Sequence, residues 1–117
     1  MLRGSIGDHL LAIRLEKDLK SDEDEALAGQ CVSKSMQGAM AIAIDPECAG
    51  LGVFNTLLHE IAHACEYVYG FDIPHSTVYV MASGICQALI STGLVLPEEF
   101  EARFRRLMLE SERTESK

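Results

Sequence analysis

The chain has 117 residues, 48% of them hydrophobic, which suits one domain, 1–117, with a modest core and excludes a disordered chain. Its formal net charge of −8 excludes nucleic acid as a main partner, because phosphate binding needs a basic face, and is compatible with a basic partner. No apolar segment reaches the length of a membrane span and residues 1–9 lack the apolar stretch of a signal peptide, so a cytoplasmic protein with no membrane association is expected.

Residues 10–15 (Leu-Leu-Ala-Ile-Arg-Leu) form a short apolar run and read as a strand. Residues 18–25 (DLKSDEDE) are a solvated charge run and read as a loop. A second strand is expected over 30–34. A third is expected over 39–45, where Met40, Ile42 and Ile44 alternate onto one side. Gly29 and Gly38 read as breaks around the second strand. Asp45-Pro46-Glu47 closes the sheet, and Gly50 and Gly52 lead into the next element.

A helix is expected from 53 to 69, stopped by Gly70, with Leu58, Ile61, Ala62, Cys65 and Val68 as its apolar face. After the connection at 71–74, a second helix starts at His75 or Ser76 and runs to about Thr92, with Gly93 as its stop. Its stripe is Val78, Ala82, Ile85 and Leu89. Pro97 opens a third helix with Glu98, Glu99 and Glu101 in its first turn, where the helix dipole favours acids. Phe100, Phe104, Leu107 and Met108 form its apolar face, and residues 110–117 are expected to fray. The fold class is α+β: a small antiparallel sheet of about three strands packed on the 53–69 helix, followed by two further helices.

The chemistry lies in that first helix. His59-Glu60-Ile61-Ala62-His63 reads H-E-x-x-H. On a helix, residues four apart project from one face, so His59 and His63 can meet one metal ion. Glu60 stands beside them as a general base for hydrolysis, the pattern shared by many zinc hydrolases. Two histidines rarely hold catalytic zinc alone, so a third protein ligand is needed. His75 is the first choice, because an antiparallel return of the second helix carries it towards His63. Asp72, just before that helix, is the second. Glu66 is third; it lies a further turn, about 5.4 Å, along the histidine face and suits better an acceptor that orients a ligand. Cys86 is a weak fourth, and His9 reads as a surface residue. Tyr79 and Tyr67 are candidate oxyanion donors, with packing as the alternative. The scattered cysteines Cys31, Cys48, Cys65 and Cys86 form no C-x-x-C pair and read as reduced thiols rather than a second zinc site.

The block Thr56-Leu57-Leu58-His59-Glu60-Ile61-Ala62-His63-Ala64 resembles the T-L-L-H-E-x-x-H-A block of small phage-encoded and bacterial zinc metallopeptidases close to the minimal gluzincins. The resemblance extends upstream to Gly29-Gln30-Cys31 and to the strand ending Ile42-Ala43-Ile44-Asp45. Downstream it reaches 78–85, which is similar to the family's V-x-x-L-A-x-G-L pattern, so it covers roughly 29–94. It implies a small sheet on an active-site helix, a glutamate-bearing helix after it, and zinc. One departure stands out: where the family tends to carry an acid, this chain has His75. Either a three-histidine site holds the metal, or the chain is a non-catalytic relative.

The first functional reading is therefore a zinc-dependent metallopeptidase acting on a peptide or protein substrate. His59, His63 and His75 bind Zn2+, Glu60 is the general base, and residues 39–44 pair with an extended peptide if they form a sheet edge. The second is a zinc-binding phage protein that does not cleave but binds a host protein in the host cytoplasm, through its acidic surface and third helix. The third is a structural domain without metal.

Overall fold

The structure, a computed structural model, describes residues 1–20, 27–34, 39–47 and 52–115. In chain order these form β1 (Leu2–Ile6), β2 (His9–Leu15), β3 (Gly29–Lys34), β4 (Ala39–Ile44), α1 (Val53–Tyr69), α2 (His75–Ser91) and α3 (Pro97–Glu115). The fold class is α+β, as the sequence pattern implies.

The sheet has four strands in the order β1-β2-β4-β3, one more than expected. It is also mixed: β1–β2 and β3–β4 pair antiparallel, but β2 and β4 pair parallel, with Leu11 opposite Met40 and Ile13 opposite Ile42. The extra strand, β1, escapes a period-2 reading because Gly4, midway between the core-packed Leu2 and Ile6, has no side chain to complete the alternation. Gly7, at φ 58, turns β1 into β2. Gly29 is not a break but the first residue of β3, paired with Ile44. Gly38, Gly50, Cys48 and residues 21–25 of the charge run lie outside the described residues.

Met40, Ile42 and Ile44 of the inner strand β4 are fully buried, and with Leu11 of β2 they face Val53, Leu57 and Ala64 of α1. Each such aliphatic side chain contributes about 1.5–3 kcal/mol by leaving water. The deepest face of α1 is thus Val53, Leu57, Glu60 and Ala64, turned around the helix from the expected one. Leu58, Ile61, Ala62, Cys65 and Val68 are only half-buried: Leu58, Ile61 and Ala62 border a groove shared with α2, while Val68 packs at the rim of the core beside the Gly7 turn. In α2 the buried positions are Val78, Ala82 and Cys86; Ile85, expected in the stripe, is 48% exposed. Phe104 and Met108 of α3 enter the core, and Phe100 packs on Phe54 with ring centroids 4.8 Å apart. That face of α3 therefore closes the chain's own core. Residues 110–115 continue α3 rather than fray, and Ser111 Oγ accepts a hydrogen bond from the N-terminal amine at 2.7 Å, tying α3 to the start of β1. No helix among the described residues is long and apolar enough to cross a membrane.

Asp45 anchors the end of β4. It is buried, and its carboxylate accepts the backbone N–H of Asp18 at 2.8 Å and of Glu47 at 2.9 Å. Asp18 sits at φ 59, a strained region for a residue with a side chain, and this bond helps hold it there. Asp45→Ala strands both donors. It is expected to lower the unfolding free energy by about 3 kcal/mol in a urea titration.

Candidate metal centre

Local rules explain where the histidines sit. Gly52, at φ 92, precedes α1, and its carbonyl accepts both the N–H and the hydroxyl of Thr56. The helix ends at Gly70 in the left-handed region (φ 70), where the N–H groups of Gly70 and Phe71 both donate to the Glu66 carbonyl. Pro74, with φ −53, opens α2. His75 is the first residue of α2, and the helix returns along α1. The His75 ring lies 5.2 Å from His63 and 5.0 Å from His59, and Tyr79, one turn on, lies 6.1 Å from His59.

His59, His63 and His75 form one cluster, with one ring nitrogen of each within 4.8 Å of the others, close enough to hold a metal ion. The Nε2 atoms of His59 and His63 are 3.0 Å apart. Among the described residues no other His, Cys, Asp or Glu joins this group. Asp72, the second candidate ligand, is exposed and lines a separate depression with His63, Glu66 and Tyr67. Cys86 is buried in α2. His9 is half-buried rather than on the surface, with its Nδ1 shut away from solvent.

Glu66 does not join the cluster but braces it. Its Oε1 lies 3.0 Å from His63 Nδ1, and its Oε2 accepts the Ile73 N–H at 3.0 Å. An ionised carboxylate has no proton to give, so His63 Nδ1 carries the hydrogen of this bond and Nε2 is the atom turned towards His59. The Ile73 N–H, aided by His63, holds the Glu66 carboxyl below the usual range despite some desolvation. One side chain thus holds both the His63 ring and the loop that delivers His75. Burial, with the neighbouring His63 and His75, lowers the pKa of His59 and favours its neutral, metal-binding form, against a smaller opposing pull from Glu66. Glu66→Ala is expected to weaken metal affinity by about 10–100-fold in a competitive chelator titration.

Glu60 packs under β3, against Gly29. It is 5% exposed, and its carboxylate accepts no hydrogen bond among the described residues. Burial raises its pKa, with His63 pulling in the opposite direction. Glu60 borders a cavity of about 340 Å³ whose walls include Leu27, Gly29, Asn55, Thr56, His59, His75 and Tyr79. A second cavity joins it to Cys31, His63 and Tyr67. Burial and the Glu60 charge push the Cys31 thiol up to about 11, so it stays protonated at neutral pH and is no nucleophile. Cys31, Cys65 and Cys86 are free thiols.

Sequence reading missed three positions that shape this site. A Cβ on Gly29 would lie 2.7 Å from Thr56 Cγ2 and 3.0 Å from Glu60 Cγ, so only glycine lets β3 sit this close to α1. The signal was an isolated glycine in a strand pattern, which marks close approach as well as a break. Asn55 and Thr56, which line the larger cavity, were legible as the residues one turn before His59. Residues 39–44, expected as a peptide-pairing edge, form the inner strand β4; the edge beside the site is β3.

Comparison of the chain with known protein families, with characterised proteins and with solved structures finds no match.

Proposed function

We propose that the protein is a zinc-dependent peptidase whose metal is held by His59, His63 and His75. The observation that carries this reading is the convergence of three imidazoles beside a buried carboxylate that has no hydrogen bond among the described residues. A largely buried acid that opens onto a cavity beside such a cluster, with its pKa raised by burial, is common at reactive centres.

The donor set fits zinc. Two nitrogens each 2.0–2.1 Å from a tetrahedral ion stand about 3.3 Å apart, close to the 3.0 Å between His59 and His63 Nε2. All three ligands are imidazoles, and Glu66 supplies the carboxylate brace that metal-binding histidines commonly have. When bound, zinc acidifies a water molecule to a pKa of about 7 and polarises a carbonyl oxygen; with no anionic ligand its charge is undiluted.

The chain's own residues do the rest. Glu60, with its raised pKa, takes a proton from the attacking water and returns it to the departing amine. Tyr79, half-exposed on the wall of the larger cavity, donates its hydroxyl to the oxygen that gains charge in this reading. β3, the edge strand next to Glu60, offers backbone groups to an extended substrate. The cavity beside Glu60 then takes one substrate side chain.

The test is incubation of the zinc-loaded chain with unfolded casein, with fragments read by mass spectrometry. Cleavage that a chelator stops and zinc restores supports the reading. No cleavage by a chain that binds zinc would favour a binding role instead.

A further inference from the structure

α2 is an outer layer. Its main packing partner is α1, which lies between it and the sheet. Val78, Ala82 and Cys86 face α1. On another side of the helix, Thr77, Met81, Gly84, Ile85 and Ala88 recur at three- and four-residue spacing, and all five are exposed. Met81 is 52% exposed, Ile85 48% and the neighbouring Val80 67%; Leu94 and Leu96, just past the helix, are 77% and 50% exposed. Between this face and α1 runs an apolar groove of about 200 Å³ floored by Leu58, Ile61 and Ile73.

Two observations say what covers this face. The first is charge. Residues 73–97 contain no Asp, Glu, Lys or Arg, in a chain of net charge −8. Two copies meeting here bring no like charges into contact, and no charge is desolvated. The second is Gly84. Glycine is a poor residue for a helix interior. Its φ is not positive, and a Cβ there would meet nothing within 4 Å, so packing within the chain does not require it. A bare position at the middle of an exposed apolar helix face permits close approach by another helix. In an antiparallel two-fold crossing of α2 on α2, the middle of the helix meets itself, which is the self-complementary arrangement of a closed dimer.

We propose that the protein forms a two-fold dimer through α2, with Gly84 at the crossing and Met81 and Ile85 packed into the partner's groove. Met81, Ile85, Val80, Leu94 and Leu96, each about half or more exposed, supply the apolar centre of such an interface, which needs about 800 Å² per partner. The metal centre faces another side of α2, through His75 and Tyr79, so the dimer does not depend on the peptidase reading.

Sedimentation equilibrium of the full chain from about 1 to 100 µM tests it. Wild type should have twice the chain mass at the upper end. Gly84→Leu should be monomeric, yet as helical by circular dichroism as wild type and no less heat-resistant, because leucine favours the helix and has room in the monomer. Met81→Glu should also be monomeric, and it decides the matter if Gly84→Leu misfolds. A wild type that stays monomeric throughout overturns the proposal, as does a dimer that both substitutions leave intact. Retention of that monomer on uncharged phosphatidylcholine vesicles would then assign the face to lipid.

Discussion

Glu60→Gln is expected to lower peptide hydrolysis by about 10²–10⁴-fold while zinc content stays at the wild-type level. Glutamine preserves the shape that packs under Gly29 and Thr56, so the fold should tolerate it. It removes a buried carboxylate that accepts no hydrogen bond among the described residues, so stability should hold or rise. Only the capacity to accept a proton is lost. Rates on a fluorogenic peptide, measured beside zinc content and thermal midpoint, separate these effects. Wild-type hydrolysis by this variant would remove Glu60 from the role of base.

Gly29→Ala should damage stability and activity together. The added methyl would sit 2.7 Å from Thr56 Cγ2 and 3.0 Å from Glu60 Cγ, distances that force the strand and helix apart. Overpacking of this kind costs about 1–3 kcal/mol. Displacement of a catalytic group by about 1 Å can cost about 10²-fold in rate, so the activity loss should exceed what the unfolded fraction explains. Gly4→Ala is the control, because a Cβ at Gly4 meets nothing within 4 Å. Urea titration and kinetics at a temperature where both variants remain folded measure the two effects. A Gly29→Ala protein indistinguishable from Gly4→Ala would show that the close approach of β3 is dispensable.

The helices were legible because their punctuation is local. Gly70 and Gly93, both at positive φ, stop or follow α1 and α2, and Pro97 opens α3. The H-E-x-x-H spacing placed His59 and His63 on one face for the same reason. The sheet was less legible, because pairing is non-local. Nothing within β2 or β4 says that β3 goes to the edge and that β4 returns between it and β2, which makes their pairing parallel. Placing β4 at an edge followed from that gap. The facing of α1 also depends on neighbours: a helix covered on several sides carries apolar residues around most of its circumference, so periodicity alone does not show which of them meet the sheet. His75 was within reach because the connection before it is short and Val78 and Ala82 fix the side of α2 that faces α1. The brace from Glu66 to Ile73 was not, because it joins a side chain to a loop backbone whose path no pattern encodes.

The most direct test of the three-histidine centre is zinc per chain, by elemental analysis after gel filtration, for wild type beside His75→Ala. His75 is exposed at the first position of α2, so its loss should leave the fold intact. One equivalent in wild type, and a large loss in His75→Ala at equal circular dichroism, is the expected result. Full zinc occupancy with unchanged affinity in His75→Ala, or no zinc in wild type supplied with the metal, would contradict it.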